Sequence, residues 1–268
     1  MRSLPLVKSG RFDLSFRYSD QHPWVLRHIN LFIPAGKCLA LVGLNGAGKT
    51  TLVKLLTRLY NPTEGQILWD GIDISEFDPR ELRQHMGTIF QDFAHYDLTV
   101  YQNIGLGNVA HIEHPDSIQQ AAIQAGIHEH ITKLPHSYQT FLGRWLADDA
   151  VGVDLSGGEW QKIALARMFM RKVDMLILDE PTAALDAQAE YDLYHQFHTF
   201  IQGRTSLLIT HRFSTVSMAD KIAVLEEGQI IACGSHQELL AQGGTYATLY
   251  RMQAANYLKN EHGSLETC

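Results

Sequence analysis

The sequence predicts an α/β fold with a mixed β-sheet, an antiparallel β subdomain and an inserted α-helical subdomain. Three observations lead to this fold class. A glycine-rich segment at 43–51 stands between a short apolar run at 38–42 and a helical pattern at 52–59. Short alternating segments joined by turns precede it, and helical patterns dominate 92–153. Beyond these helices, two continuous apolar runs are typical of strands covered on both faces of a sheet.

The first part of the chain alternates between strands and turns. Residues 11–18 alternate apolar and polar side chains, which predicts a strand, and 25–33 predicts a second strand. The strand that enters the glycine-rich segment follows, and because short turns join these three strands, we expect them to be antiparallel. Beyond the helix, 66–69 followed by Asp70-Gly71 predicts a further strand with a hairpin turn.

The remaining elements follow from the same patterns. In chain order we expect a helix from Asp78, a strand at 87–90, helices at 100–104, 117–125 and 128–134, a strand at 173–178, a crossover helix at 187–201, a strand at 206–210, a hairpin at 221–233 and a helical region from Ser235 to Met252. The predicted core comprises residues 1–91 and 154–252, the helical insertion comprises 92–153, and a flexible tail comprises 253–268.

Residues 43–51, Gly-Leu-Asn-Gly-Ala-Gly-Lys-Thr-Thr, have the spacing of a phosphate-binding loop. Glycines let backbone N–H groups converge on phosphate oxygens, and the following helix points the positive end of its dipole at the same anion. Lys49 would supply a cation to the outer phosphates, and the Thr50 hydroxyl would ligate Mg²⁺. A tight turn alone explains some of the glycines but not the Lys-Thr pair. The sequence therefore predicts a P-loop NTPase core that binds a nucleoside triphosphate through Gly43, Asn45, Gly46, Ala47, Gly48, Lys49, Thr50 and Thr51.

A second landmark is the pair of acids at the end of a buried strand, in Leu178-Asp179-Glu180-Pro181. In a nucleotide hydrolase the first carboxylate would hold Mg²⁺, and the second would polarise the attacking water as a general base. The alternative is a strand end with solvated acids and a proline stop, and the phosphate loop decides against it. Asp179 is therefore the predicted metal ligand and Glu180 the predicted base.

A third landmark is the helix start at 155–161, Leu-Ser-Gly-Gly-Glu-Trp-Gln. Ser156 and Glu159 have capping-box spacing, so a well-capped helix is the simple interpretation. Two glycines in the first turn are costly for a merely structural helix, but they suit a helix end that approaches a phosphate closely. The helix after the phosphate loop already directs one helix end at the γ-phosphate, and a second helix end from the same chain is not needed there. The helix that begins after Ser156 is therefore expected to contact the nucleotide bound by a second copy of the chain, which predicts a dimer.

The composition of the chain argues against several other classes of protein. The formal net charge is −7, from 22 Lys and Arg against 29 Asp and Glu, which argues against a surface that coats nucleic acid. The three cysteines are widely spaced, so neither a disulfide framework nor a zinc knuckle is expected. No apolar run approaches the roughly 20 residues of a membrane span, and no apolar signal core follows Met1, so a cytoplasmic chain is expected.

These motifs together resemble the nucleotide-binding domain of ATP-binding-cassette (ABC) transporters over nearly the whole chain. Walker A corresponds to 43–51, the signature to 155–161 and Walker B to 175–179. The resemblance implies an ATPase that uses ATP and Mg²⁺, with Glu180 and Lys49 among its catalytic residues.

The resemblance also assigns residues that no single motif identifies. Gln91 corresponds to the Q-loop residue that senses Mg²⁺ and the membrane partner, and His211 to the switch histidine at the γ-phosphate. Tyr18 stands where the family stacks an aromatic ring on adenine, although a tyrosine in the core or on a strand face is the alternative. The residues implied to contact ATP bound to the opposite subunit are Ser156, Gly157, Gly158, Gln161 and, in the D-loop, Asp186.

Within the family, 90–93, 98–104 and 234–240 resemble exporters, and the signature with its tryptophan is most similar to that of bacterial peptide and lantibiotic exporters. Asp148 and Asp149 stand where exporters carry a Thr-Glu-Val-Gly-Glu-like loop. The resemblance implies a head-to-tail homodimer that encloses ATP and works with a transmembrane domain, fused or separate, at the cytoplasmic face of a bacterial membrane.

Three other classes compete with an exporter. A soluble ABC ATPase of translation or DNA repair is the first, but such proteins usually carry two cassettes, coiled coils or zinc insertions. A small-molecule P-loop kinase is the second, and it offers no reason for the glycines after Ser156. A regulatory cassette that binds without hydrolysing is the third, and Glu180 and His211 argue against it.

Overall fold

The computed structural model describes residues 10–90, 92–143, 152–171, 173–180, 201–210 and 212–263. The described residues fall into two compact units. Unit 1 lies within Met1–Met86, Asp174–Ile177 and Ile201–Cys268, and unit 2 lies within Gly87–Val173 and Leu178–Phe200.

The described residues form ten strands and nine α-helices, numbered in chain order. The strands are β1 (Gly10–Phe16), β2 (Leu26–Ile33), β3 (Cys38–Val42), β4 (Glu64–Trp69), β5 (Ile72–Asp73), β6 (Met86–Ile89), β7 (Met175–Asp179), β8 (Thr205–Ile209), β9 (Lys221–Glu226) and β10 (Gln229–Gly234). The α-helices of the described residues are α1 (Lys49–Leu56), α2 (Pro79–Gln84), α3 (Val100–Gly105), α4 (Pro115–Gln124), α5 (His128–Thr132), α6 (Gly157–Phe169), α7 (Phe213–Val216), α8 (His236–Gln242) and α9 (Gly244–Gly263).

One sheet of unit 1 is antiparallel and has the strand order β2-β1-β4-β5. The strand β1 pairs antiparallel with both β2 and β4, and its side chains Phe12, Leu14 and Phe16 are buried. The predicted hairpin after β4 is confirmed, because Trp69 pairs with Ile72 across two residues of positive φ. Two positive φ values in a two-residue loop are the conformation that favours an Asp-Gly pair.

The other sheet is mixed, as predicted, with the order β10-β9-β3-β8-β7-β6. The strand β3 pairs in parallel with β8 and β9, whereas β9 and β10 form an antiparallel hairpin. The expected antiparallel pairing is therefore correct for β1 and β2 but wrong for β3. All five residues of β3 are buried, and such a strand needs cover on both faces, so the short turn from β2 leads into a different sheet.

Unit 2 contains α3, α4, α5 and α6. The helix α6 packs against α3 and α4 and buries apolar side chains around most of its circumference, including Trp160, Ile163 and Leu165. A helix that is apolar nearly all round belongs in an interior. The helical unit is therefore larger than the predicted insertion at 92–153, because α6 groups with the helices that precede it.

Two further predictions concern the later part of the chain, the crossover helix and the flexible tail. The crossover helix predicted at 187–201 lies outside the described residues except for Ile201. At the carboxyl end, a tail was predicted from residue 253, but α9 continues to Gly263, and neither Gly nor Pro occurs from 245 to 262 to stop it. Within the part of the chain that the structure describes, no helix is both long and apolar enough to cross a bilayer.

Candidate functional site

The predicted phosphate loop connects β3 to α1 in unit 1. Gly48 caps α1 with φ +108°, and a Cβ atom at this position would lie 2.7 Å from Leu26 Cδ2. A Cβ atom at Gly43 would lie 2.1 Å from the carbonyl oxygen of Leu225. Gly46 has φ +82° and nothing within 4 Å of the space a Cβ would occupy. The loop thus needs glycine at both ends for close packing, whereas its middle borders open space.

Lys49 lies across this loop. Its side chain is buried, and its Nζ donates hydrogen bonds to the carbonyl oxygens of Gly43 (2.9 Å) and Leu44 (3.1 Å). The ammonium group is thereby held beside the loop, where an anion bound by the backbone would meet it. Because the cap residue of α1 is glycine, no side chain caps this helix end.

These features fit a nucleoside triphosphate. A loop without obstructing side chains, a helix start and a held ammonium group are complementary to phosphate oxygens. Among the described residues no group of three or more His, Cys, Asp or Glu side chains could hold a metal ion. Mg²⁺ is commonly bound by one or two protein groups together with substrate phosphates. Thr50, at the exposed start of α1, offers a hydroxyl for this role.

Tyr18 follows β1 on the same unit. Its side chain is 43% exposed, so it is not a core residue, and its hydroxyl lies 3.2 Å from the hydroxyl of Thr51 in the first turn of α1. The structure therefore brings Tyr18 to the phosphate loop, as the prediction of an adenine contact requires. That contact itself stays a prediction.

The two predicted acids follow one another at the end of β7. Asp179 is the last residue of the strand and is buried. Glu180 is half-buried and has φ +50°, a left-handed conformation that costs a residue with a side chain about 1–2 kcal/mol. Residues held in such strained conformations cluster at functional sites, which supports a chemical role for Glu180.

The signature segment begins α6 in unit 2 with the capping box predicted from sequence. The Glu159 carboxylate accepts hydrogen bonds from the Ser156 backbone N–H (2.8 Å) and hydroxyl (2.9 Å), and the Ser156 oxygen accepts from the Glu159 N–H (3.4 Å). Ser156 and Gly157 are exposed and Gly158 is half-buried. Gln161 is only 2% exposed, so a contact with a second chain would require it to be uncovered.

Three predicted site residues, Gln91, Asp186 and His211, lie outside the described residues, as do Asp148 and Asp149 of the loop before the signature. Their roles stay predictions. The described residues thus bring together Tyr18, the loop and Lys49 in unit 1, and they place the signature and the strand-end acids in unit 2.

One network in unit 2 was not found from sequence. Asn103 is fully buried, and its amide donates to the carbonyl oxygens of Tyr96, Leu98 and Thr99. The Arg167 guanidinium on α6 donates to the backbone oxygen of Asn103 (2.8 Å) and to its side-chain oxygen. Burial lowers the pKa of Arg167 to about 10. The segment that follows Gln91 is therefore tied to the signature helix.

A ring stack adds to this connection. The imidazole of His95 lies parallel to the indole of Trp160, with centroids 4.3 Å apart and an interplanar angle of 5°. Partial burial and the positive charge of Arg167 lower the pKa of His95, against the opposing effect of Asp154. A tryptophan inside the signature was the only sequence signal for this contact, because nothing in the spacing links it to residue 95.

Comparison with known proteins agrees with these observations. The family model described as "ABC transporter" matches residues 26–183 of this chain. The ATP-dependent lipid A-core flippase of Chromohalobacter salexigens is 41% identical over 248 residues, which cover 91% of this chain and 41% of that protein. A Staphylococcus aureus protein named for multidrug export, with an ATP-binding/permease description, is 40% identical over 250 residues, covering 92% and 42%.

A solved structure shows the same fold. A bacterial Atm1-family ABC exporter with ATP bound superposes with a TM-score of 0.85 at 35% sequence identity, and the match covers 94% of this chain and 43% of that one. The chain therefore spans about two fifths of the length of each of these relatives.

Proposed function

This chain belongs to the ABC transporter family, and from that premise we propose that it binds and hydrolyses ATP to drive export through a transmembrane domain. The observation that carries the proposal is the phosphate loop of unit 1, closely packed at Gly43 and Gly48, open at Gly46 and flanked by the held ammonium group of Lys49. The exporter names of the relatives support the coupling to transport.

In this proposal each residue has one task in ATP hydrolysis. The loop N–H groups and Lys49 hold the phosphates, and Tyr18 supports the adenine ring. Thr50, Gln91 and Asp179 would hold Mg²⁺, which when bound neutralises charge on the β- and γ-phosphates. Glu180 orients and polarises the attacking water, and His211 contacts the γ-phosphate.

The signature helix supplies the second half of the ATP site from another copy of the chain. The exposed start of α6, with Ser156, Gly157 and Gly158, would meet the γ-phosphate held by the partner's loop. Gln161 and Asp186 would complete that contact. ATP then binds the closed dimer more tightly than the separated cassettes, and this difference in affinity is what can drive a conformational change.

The cassette would act at the cytoplasmic face of a bacterial membrane, together with a fused or separate membrane domain. The relatives carry names that refer to lipid A-core, to multidrug export and to an Atm1-family exporter. None of these three names refers to peptides, so a peptide substrate rests on the signature sequence alone. The exporter names also disfavour a soluble ABC ATPase of translation or DNA repair.

The test is phosphate release by the purified chain with Mg-ATP over a range of protein concentrations, beside Glu180→Gln. A rate per molecule that rises with concentration and disappears in the variant would support an ATP site shared by two chains. A rate independent of concentration would contradict the role of Ser156 and favour a monomeric kinase-like site. If titration calorimetry showed that the chain does not bind ATP at all, the proposed function as a whole would be refuted.

A further inference from the structure

A cluster of three aromatic rings stands beside the phosphate loop, and it includes a tyrosine that no motif contains. Tyr60, shortly after α1, lies perpendicular to Tyr18, with ring centroids 5.3 Å apart and an interplanar angle of 89°. Phe16 contacts both rings edge to face, with centroids 5.0 Å from Tyr18 and 5.8 Å from Tyr60. Edge-to-face contact is a favourable geometry for aromatic pairs.

The three rings differ in exposure. Phe16 is buried in β1, whereas Tyr60 is 45% exposed and Tyr18 nearly equally so. Phe16 therefore fixes the cluster to the sheet, and the rings of Tyr18 and Tyr60 are accessible to solvent. A flat heterocycle that stacks on Tyr18 would meet a ring that two neighbouring rings already contact.

Tyr18 is restrained at two points. Its ring contacts Phe16 and Tyr60, and its hydroxyl lies 3.2 Å from the hydroxyl of Thr51. Rotation of the side chain away from this position would lose the ring contacts and the hydrogen bond together. Thr51 belongs to the first turn of α1, so the orientation of Tyr18 is coupled to the phosphate loop itself.

Hydrogen bonds from two arginine side chains fix the turn that precedes Tyr60. The Arg83 guanidinium donates to the carbonyl oxygens of Thr57 (2.9 Å) and Arg58 (2.8 Å). Arg58, with φ +50°, donates in turn to the carbonyl oxygens of Ile74 and Phe77. The Tyr60 N–H donates to the Lys54 carbonyl oxygen at 3.3 Å. Tyr60 therefore follows a turn whose backbone is fixed by several hydrogen bonds.

We propose that Tyr60 is a positioning residue for ATP, which holds Tyr18 in the orientation that stacks the adenine base. This inference rests on the proposed function, because it assumes that Tyr18 contacts the base. Tyr60 acts through Tyr18 and not on the phosphates, so its effect is confined to the part of the binding affinity that the base contributes.

The test compares dissociation constants for Mg-ATP and for inorganic triphosphate with Mg²⁺, measured by titration calorimetry on the whole chain. The phosphate-only probe contacts the loop without a base. We expect Tyr60→Ala to raise the Kd for ATP about 3- to 10-fold, in line with the strength of aromatic pairs, and to leave the Kd for triphosphate within about 2-fold. Tyr60→Phe keeps the ring and should restore the affinity for ATP.

Leu59→Ala is the matched control. Leu59 is the preceding residue of the same turn and is 50% exposed, so its truncation perturbs the turn without removing an aromatic ring. We expect it to leave both dissociation constants unchanged. An equal loss of affinity for ATP and triphosphate in Tyr60→Ala, or no loss for either, would overturn the inference.

A double-mutant cycle separates positioning from direct contact. If Tyr60 acts through Tyr18, then Tyr60→Ala should have no further effect on ATP affinity in a Tyr18→Ala background. Additive losses would make Tyr60 an independent contact and contradict the positioning role. Failure of the unaltered chain to bind ATP would instead refute the proposed function, and ATP binding no tighter than triphosphate would refute base stacking alone.

Discussion

At the scale of single residues, the surroundings set the chemistry that each side chain can perform. Lys49 is buried with its ammonium group bonded to two loop carbonyls, so its charge is held in one place. Glu180 is held in a left-handed conformation at the end of a strand. Partial burial and the charge of Arg167 lower the pKa of His95. Two of these environments lead to predictions that concern one side chain each.

Replacement of Lys49 by alanine should remove most of the affinity for ATP. A hydrogen bond to a charged group contributes about 1.5–3 kcal/mol, so we expect the Kd to rise about 10- to 100-fold. Lys54→Ala, on the same helix α1 but away from its first turn, is the control and should bind ATP normally. Equal affinities of the two variants in titration calorimetry would contradict the assignment of Lys49.

The ring of His95 should titrate below its ordinary pKa of 6.5. Because burial and Arg167 both disfavour the imidazolium in the folded state, the unfolded state binds more protons near that pH, and stability should fall as the pH drops below about 6.5. The NMR titration of the His95 ring signal, assigned by its loss in His95→Gln, measures the pKa directly. A midpoint at or above 6.5 would contradict the prediction.

At the scale of elements, the start of α6 has two roles that must be separated. Its capping box stabilises the helix, and its exposed Ser156 is also the proposed contact for a partner's nucleotide. The helix α8 begins with the same device, because the Ser235 N–H donates to the Glu238 carboxylate at 2.7 Å. The chain therefore provides its own comparison for a capping box without a proposed catalytic role.

Ser156→Asn should separate stability from catalysis. Asparagine caps helices about as well as serine, so we expect the free energy of unfolding to change by less than about 0.5 kcal/mol. The ATPase rate should nevertheless fall about 10-fold or more, because the longer amide places its donor away from the position of the Ser156 hydroxyl and weakens the hydrogen bond to a charged phosphate. Chemical denaturation and phosphate release measure the two effects.

Ser235→Ala is the counterpart on α8. It should lower the free energy of unfolding by about 1 kcal/mol and leave the ATPase rate unchanged at temperatures well below unfolding. If both variants lowered stability and ATPase activity in parallel, the signature helix would have only a structural role.

At the scale of the whole molecule, the proposed activity depends on two copies of the chain. The phosphate loop and the signature segment belong to different compact units of one chain, and the proposal pairs each loop with the signature of a partner. ATP would stabilise the closed dimer, and hydrolysis would remove the γ-phosphate that joins the two halves.

Glu180→Gln should therefore trap a dimer with ATP bound, since the amide keeps the shape of the side chain but cannot accept a proton from water. Light scattering with Mg-ATP should show twice the monomer mass for this variant and the monomer mass without nucleotide. Glu227→Gln is the matched control, because Glu227 also has a positive φ (+45°) but lies in the β9–β10 hairpin. A Glu180→Gln variant that stays monomeric with ATP would count against the shared site.

Much of the fold follows from local patterns. The run Cys38–Val42 followed by glycines and Lys49 predicted a strand, loop and helix, because each depends on neighbours within a few residues. The hairpin at Asp70-Gly71 and the capping box at Ser156 were predicted for the same reason. The pairing of β3 was not, since a short turn fixes neither the sheet nor the partner of the strand that follows it.

The sequence by itself determined the family and the phosphate loop, because glycine spacing, a Lys-Thr pair and a capped signature helix are local chemistry. Only the tertiary structure decided that β3 joins the mixed sheet, that Arg167 binds Asn103 and that the ring of Tyr60 contacts Tyr18. Each of these contacts joins residues about 40 or more positions apart. No spacing rule encodes such a pair, because it forms only when the packing of the intervening chain brings the two side chains together.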